Sequence, residues 1–121
     1  MPTMTIETRR ESVGTNLTLL DIYHILKVNK KTLADLFGIS GRNLERWLHN
    51  PGLAEDNYRF QLLKEICLKS KRVVKIEKLG GWLIRPHAEL GHYKPITLMY
   101  DIQGFKDVLR LIESYRAGSY A

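Results

Sequence analysis

The stretch from Leu33 to Leu48 constrains the fold of this chain more than any other part of it. Leu33, Ala34 and Phe37 lie on one face of a short helix for which Asn29 is a good N-cap. Gly38 ends that helix, because glycine reaches the left-handed conformation without a Cβ clash. Ile39 then fills the corner and Ser40 caps a second helix. There Leu44, Trp47 and Leu48 repeat at three- and four-residue spacing, while Arg42, Glu45, Arg46 and His49 fall on the opposite face. The small side chain of Ala34 suits two helices that cross closely. Small, glycine, apolar, apolar in this order is the pattern of a helix-turn-helix whose second helix enters the major groove. A generic helical pair would bury the same Leu44 and Trp47 and leave Arg42, Asn43 and Arg46 no partner but water.

On the helix-turn-helix reading, duplex DNA is the expected partner, and Ser40, Gly41, Arg42, Asn43, Glu45, Arg46 and His49 form the expected contact face. Arginine pairs with guanine and asparagine with adenine in the major groove. Lys30 and Lys31, at the start of the preceding helix, are placed for backbone phosphate. The charge balance agrees, with 19 Lys and Arg against 13 Asp and Glu and nearly all of the surplus before residue 79. A surplus of this size also occurs on ordinary solvated surfaces, so it supports the motif without proving it.

Around this unit the pattern is helical throughout. Leu19, Leu20, Tyr23, Ile25 and Leu26 predict a first helix within 17–27. Asn50, Pro51 and Gly52 stop the recognition helix, and a fourth helix follows from about Glu55 to Ser70. It is expected to turn Tyr58, Leu62, Leu63, Ile66 and Cys67 inward and Arg59, Lys64 and Lys69 outward. Gly80 and Gly81 weaken any helix over 73–83, and close packing against a neighbour would explain both. Pro95 suits the first position of a helix over 95–100, and a final helix over 104–117 stops at Gly118. Phe105, Val108, Leu109, Leu111 and Ile112 cover more of its circumference than one small core needs, which predicts a protein-binding or self-association face. Residues 1–15 read as a flexible polar arm.

Cys67 is the only cysteine, so no internal disulfide is expected and a reducing cytoplasm is the natural setting. Arg9, Arg10 and Glu11 precede any apolar run, so neither a signal peptide nor a membrane partner is expected. His87, Glu89 and His92 lack the spacing of a recognisable metal site. No activated serine or phosphate loop stands out either, so the expectation is a non-enzyme with no metal and no cofactor.

Trp82, Leu83, Pro86, Leu90, Gly91, Pro95, Leu98, Gly104, Val108 and Gly118 occur in the order and spacing of one known module. In this the chain resembles the Xre/MbcA/ParS toxin-binding domain, and the whole stretch from Asn16 to Ala121 is similar to an Xre-type antitoxin of a bacterial type II toxin–antitoxin pair. The resemblance implies an all-α fold, with an Xre-like helix-turn-helix bundle over 16–71 and a small helical toxin-binding and dimerisation domain over 72–121. It also implies a RES-type toxin that destroys NAD, held inactive by this protein, and repression of their common operon. In the family the C-terminal helix and tail enter the toxin's active-site cleft. Here that maps onto Val108, Leu111, Ile112, Tyr115, Arg116, Gly118, Ser119, Tyr120 and Ala121. A frayed terminus with incidental tyrosines is the bland alternative for that tail. A homodimer through the C-terminal helices is expected. The alternative function is a stand-alone helix-turn-helix regulator whose C-terminal half only dimerises.

Overall fold

Thr18 and Asp21 start the first helix by capping each other. The Thr18 hydroxyl accepts from the Asp21 amide at 3.2 Å, and the Asp21 carboxylate accepts from the Thr18 amide at 3.0 Å. The computed structural model describes residues 17–116. Helix α1 (Leu19–Leu26) ends at Lys27, whose φ is 57°. Its inward face is Leu19, Ile22 and Leu26; Leu20, expected inside, is 42% exposed. Helices α2 (Lys30–Phe37) and α3 (Gly41–His49) follow, with a 3₁₀ segment Pro51–Asp56 after them.

Helix α4 (Tyr58–Ser70) begins three residues later than the sequence pattern places it. Asn57 decides the start: its side-chain oxygen accepts from the Phe60 amide at 2.9 Å, and its amide group donates to the Phe37 carbonyl at 3.3 Å. Phe60 is therefore fully buried and Tyr58, expected inside, is 55% exposed. The three cations expected on the outside are each drawn inward. Arg59 donates to the Tyr100 carbonyl at 2.7 Å, Lys64 pairs with Glu55 at 3.1 Å, and Lys69 lies between Glu65 and Glu113.

The remaining elements are a 3₁₀ turn (Ile76–Lys78), α5 (Leu79–Leu83), a second 3₁₀ turn (Ala88–Leu90), α6 (Pro95–Leu98) and α7 (Ile102–Arg116). Among the described residues 74% are helical and none forms a strand, so the fold is all-α. No helix among them is long and apolar enough to cross a membrane. Helix α7 packs along α4, and one continuous apolar cluster runs from Leu17 in the N-terminal half to Ile112 in the C-terminal half. Lys69 fastens the same pair of helices, and the hydrogen bonds it donates, to Glu113 first and then to Glu65, raise its pKa above the ordinary lysine value.

Helix α7 corrects the expected surplus of apolar surface. Phe105, Val108 and Ile112 are buried in the cluster, Leu111 is buried beside a groove it shares with Leu90 and Leu98, and Leu109 is half-buried against the cluster, so the intramolecular core takes up most of the stripe. The helix also starts two residues earlier than expected, because the Asp101 carboxylate accepts from the Gly104 amide at 2.7 Å.

The two adjacent glycines of α5 prove unlike. A Cβ on Gly80 would stand 2.6 Å from the carbonyl oxygen of Leu26, whereas one on Gly81 would meet nothing within 4 Å. Close packing therefore explains Gly80 alone. Gly80→Ala is expected to lower stability by about 1–3 kcal/mol through overpacking. Gly81→Ala is expected to raise it by about 0.4–1 kcal/mol through reduced unfolded-state entropy. Urea denaturation of both variants checks the contrast, and equal midpoints would contradict it.

Cys67 is buried on α4, and burial alone pushes its thiol pKa up to about 12 from 9.0. A thiol of this kind is expected to resist a disulfide exchange reagent at neutral pH in the folded protein and to react at once in denaturant. Because the folded pKa lies above the unfolded one, this group favours the folded state fully below pH 9.0 and progressively less as pH rises toward about 12. A stability profile for wild type and Cys67→Ala over that range isolates the contribution: the wild type should lose stability that the variant does not.

Candidate nucleic-acid interface

The geometry around Gly38 is set by caps at three points. The Asn29 side chain accepts from the Thr32 amide at 2.8 Å and opens α2. Gly38 sits at φ 69°, its amide bonded to the carbonyls of Ala34 and Asp35, and the Ile39 amide reaches Ala34 at 3.0 Å. The Ser40 hydroxyl then accepts from the Asn43 amide at 3.1 Å and opens α3. Ala34 is buried in the crossing, and Ile39 is half-buried against the core. Trp47 anchors α3 from below, its ring 5.6 Å from Phe37, which in turn meets Phe60 edge-on at 5.8 Å. Leu44 and Trp47 are thus fixed inward, and the rest of α3 is oriented by their burial.

Arg42, Glu45, Arg46 and His49 are exposed on the outer face of α3, together with Gly41 at its start, while Asn43 is half-buried. Lys30 and Lys31 are exposed at the start of α2. Both carboxylates on this surface are already paired. Glu45 holds Lys30 at 2.9 Å across the two helices, and Asp35 holds Lys31 at 3.3 Å. The hydrogen bond that Lys30 donates to Glu45 raises the Lys30 pKa above its ordinary value. Arg46 donates to the neutral side chain of Asn43 at 3.1 Å, and Arg42 has no ion-pair partner among the described residues. The result is a face on which the negative charge is neutralised and two guanidinium groups are not. His49 Nδ1 lies 2.8 Å from the Glu45 carbonyl; since a carbonyl only accepts, Nδ1 carries the proton and Nε2 faces outward.

Two shallow grooves flank this helix. One, of about 490 Å³, lies between α2 and α3 and is bordered by Lys30, Lys31, Ser40, Gly41 and Arg42. The other, of about 550 Å³, runs along the C-terminal half of α3 beside Arg42, Arg46, His49 and Leu53. Arg42 and Glu45 border both and so stand on the ridge between them. Besides Asp35, the sequence pattern did not single out Leu53, which is 40% exposed. It belongs to the 3₁₀ segment after Pro51, where no helical period marks a face. It adds an apolar contact of the kind that meets a thymine methyl group.

Of the C-terminal residues expected to form a second site, Val108, Leu111, Ile112 and Tyr115 are those whose side chains are described. Val108, Leu111 and Ile112 are core residues, a correction to their expected role as surface contacts. Tyr115 is half-buried, its hydroxyl donating to Glu89 at 3.2 Å and its ring edge-on to Trp82 at 6.5 Å. Arg116 ends α7. Gly118, Ser119, Tyr120 and Ala121 lie outside the described residues, as does the N-terminal arm. His87 stacks on Trp82 at 4.5 Å with Nε2 2.9 Å from the Trp82 carbonyl. His87 and Glu89 are therefore engaged separately, and among the described residues no group of three His, Cys, Asp or Glu side chains converges on a point. Comparison with protein-family models, curated proteins and solved structures returns no match.

Proposed function

We propose that this protein is a DNA-binding antitoxin of the Xre/MbcA/ParS type: α2, the Gly38 turn and α3 form a helix-turn-helix that reads operator DNA as a dimer, and the C-terminal half restrains a RES-type toxin that consumes NAD. The observation that carries the DNA half is the outer face of α3, where lysines neutralise the carboxylates and Arg42 and Arg46 keep their charge. That arrangement suits a polyanion, and the arginines project from a helix whose opposite side is locked by Trp47.

The toxin half rests on the resemblance, and the packing supports treating its spacing as a fold signature. Leu83, Pro95, Gly104 and Val108 are buried, and Gly91 takes the left-handed conformation that closes its turn. With Val108, Leu111 and Ile112 occupied in the core, the toxin contact falls to Tyr115 and the residues after it. The protein acts by binding and carries no chemistry of its own.

The test is co-purification with the product of the adjacent gene, followed by an NAD-consumption assay of that product with and without this protein. A stable complex with NAD loss suppressed is the expected result. Deleting residues 115–121 is then expected to abolish neutralisation while operator binding persists. No complex and no inhibition, with operator protection retained, would leave the stand-alone regulator in its place.

A further inference from the structure

A groove of about 570 Å³ lies between the C-terminal end of α1 and α5, and none of its lining residues belongs to α2 or α3. Its apolar lining is Leu26, Val28, Gly80, Gly81 and Ile84. Ile84 is 52% exposed. Gly81 gives the second sign: it is exposed within a helix, and a Cβ there would meet nothing within 4 Å. A glycine at such a position weakens the helix relative to alanine, with no internal packing to require it. What it does provide is room for another chain's backbone to come close.

Charge selects the occupant. Lys27, Lys78 and Arg85 border the groove against a single carboxylate, Glu77. The Lys27 ammonium donates to the Glu77 backbone carbonyl at 3.3 Å, a bond that holds the cation at the groove without neutralising it. We infer that this groove docks an acidic amphipathic segment of a partner protein, its apolar side chains seated on Val28 and Ile84 and its carboxylates facing Lys78 and Arg85. A second copy of this chain is a poor occupant, since its 19 Lys and Arg outnumber its 13 Asp and Glu. Duplex DNA is also a poor one, because a sugar–phosphate backbone leaves the apolar lining uncovered. The inference stands apart from DNA reading by α3 and from toxin binding by the C-terminal residues.

Fluorescence anisotropy on the full chain tests it. The probe is a labelled helical peptide with leucines on one face and glutamates on the other, and the comparison peptide carries lysines in place of the glutamates. The glutamate peptide is expected to bind saturably and to weaken with added salt, and the lysine peptide to bind at least about tenfold more weakly. Ile84→Glu and Gly81→Leu are each expected to weaken capture about tenfold or more, without a lower melting temperature in Gly81→Leu. No saturable binding, equal binding of the two peptides, or full affinity in both variants would overturn the proposal. So would displacement of the bound peptide by unlabelled duplex DNA, which would reassign the groove to nucleic acid.

Discussion

Gly104→Ala is expected to be the most destabilising single-methyl change in this chain. The new Cβ would stand 1.5 Å from the carbonyl oxygen of Leu98 and 2.4 Å from its carbon, and neither is the movable end of a side chain. Relief requires the end of α6 to separate from the start of α7. That separation breaks the Asp101 cap on the Gly104 amide and lifts Phe105, fully buried one position on, out of its seat. Since α7 closes against α4, the damage reaches the core that both halves share. A loss of about 4 kcal/mol or more follows, a large fraction of the roughly 5–15 kcal/mol that holds a domain of this size. Urea denaturation followed by circular dichroism reads it directly, with Gly81→Ala as the matched control in open space. A Gly104→Ala protein with the wild-type midpoint would show that α6 and α7 do not meet as described.

The contrast between these glycines shows what local sequence can and cannot reveal. Gly38, Asn29 and Ser40 were legible because capping and left-handed turns are chemistry within four residues. Gly80 and Gly81 look alike in sequence, and what separates them is a carbonyl oxygen of Leu26, on a helix far back in the chain. Tyr58 was misplaced for a related reason. Leu62, Leu63, Ile66 and Cys67 are buried as the period predicts, but Asn57 caps the helix at Tyr58, and its first turn buries Phe60 instead. The apolar stripe of α7 was visible, but its partner was not: α4 lies over forty residues earlier, as the Lys69–Glu113 pair marks, and no periodicity counts a distant face. The same blindness turned Val108, Leu111 and Ile112 into surface candidates. In α3 the outward face was legible because burial of Leu44 and Trp47 fixes the remaining positions by geometry alone. The pairing that neutralises Glu45 was not, since Lys30 sits on the neighbouring helix.

That pairing sharpens the second large effect, which falls on DNA binding. Arg42→Ala and Arg46→Ala are each expected to weaken binding to the DNA upstream of this gene by about 1–3 kcal/mol and to relax base preference at one position, while affinity for a shuffled duplex changes little. Neither change is expected to disturb the fold, because neither arginine has an ion pair among the described residues and the Arg46 guanidinium bonds the Asn43 side chain of its own helix. Lys31→Ala should behave differently: its loss removes a phosphate contact, so every sequence weakens alike and the slope of log affinity against log salt falls by about one. Lys30→Met separates position from charge, since it also frees the Glu45 carboxylate beside the two arginines. Lys30→Met with Glu45→Gln should therefore recover part of the loss that Lys30→Met causes. Anisotropy titrations on specific and shuffled duplexes across a salt series distinguish these patterns. Unchanged specific binding in both arginine variants would mean that α3 is not the reading helix. If both arginine variants weakened every duplex equally, their role would be reduced to phosphate attraction, with base recognition left to other residues.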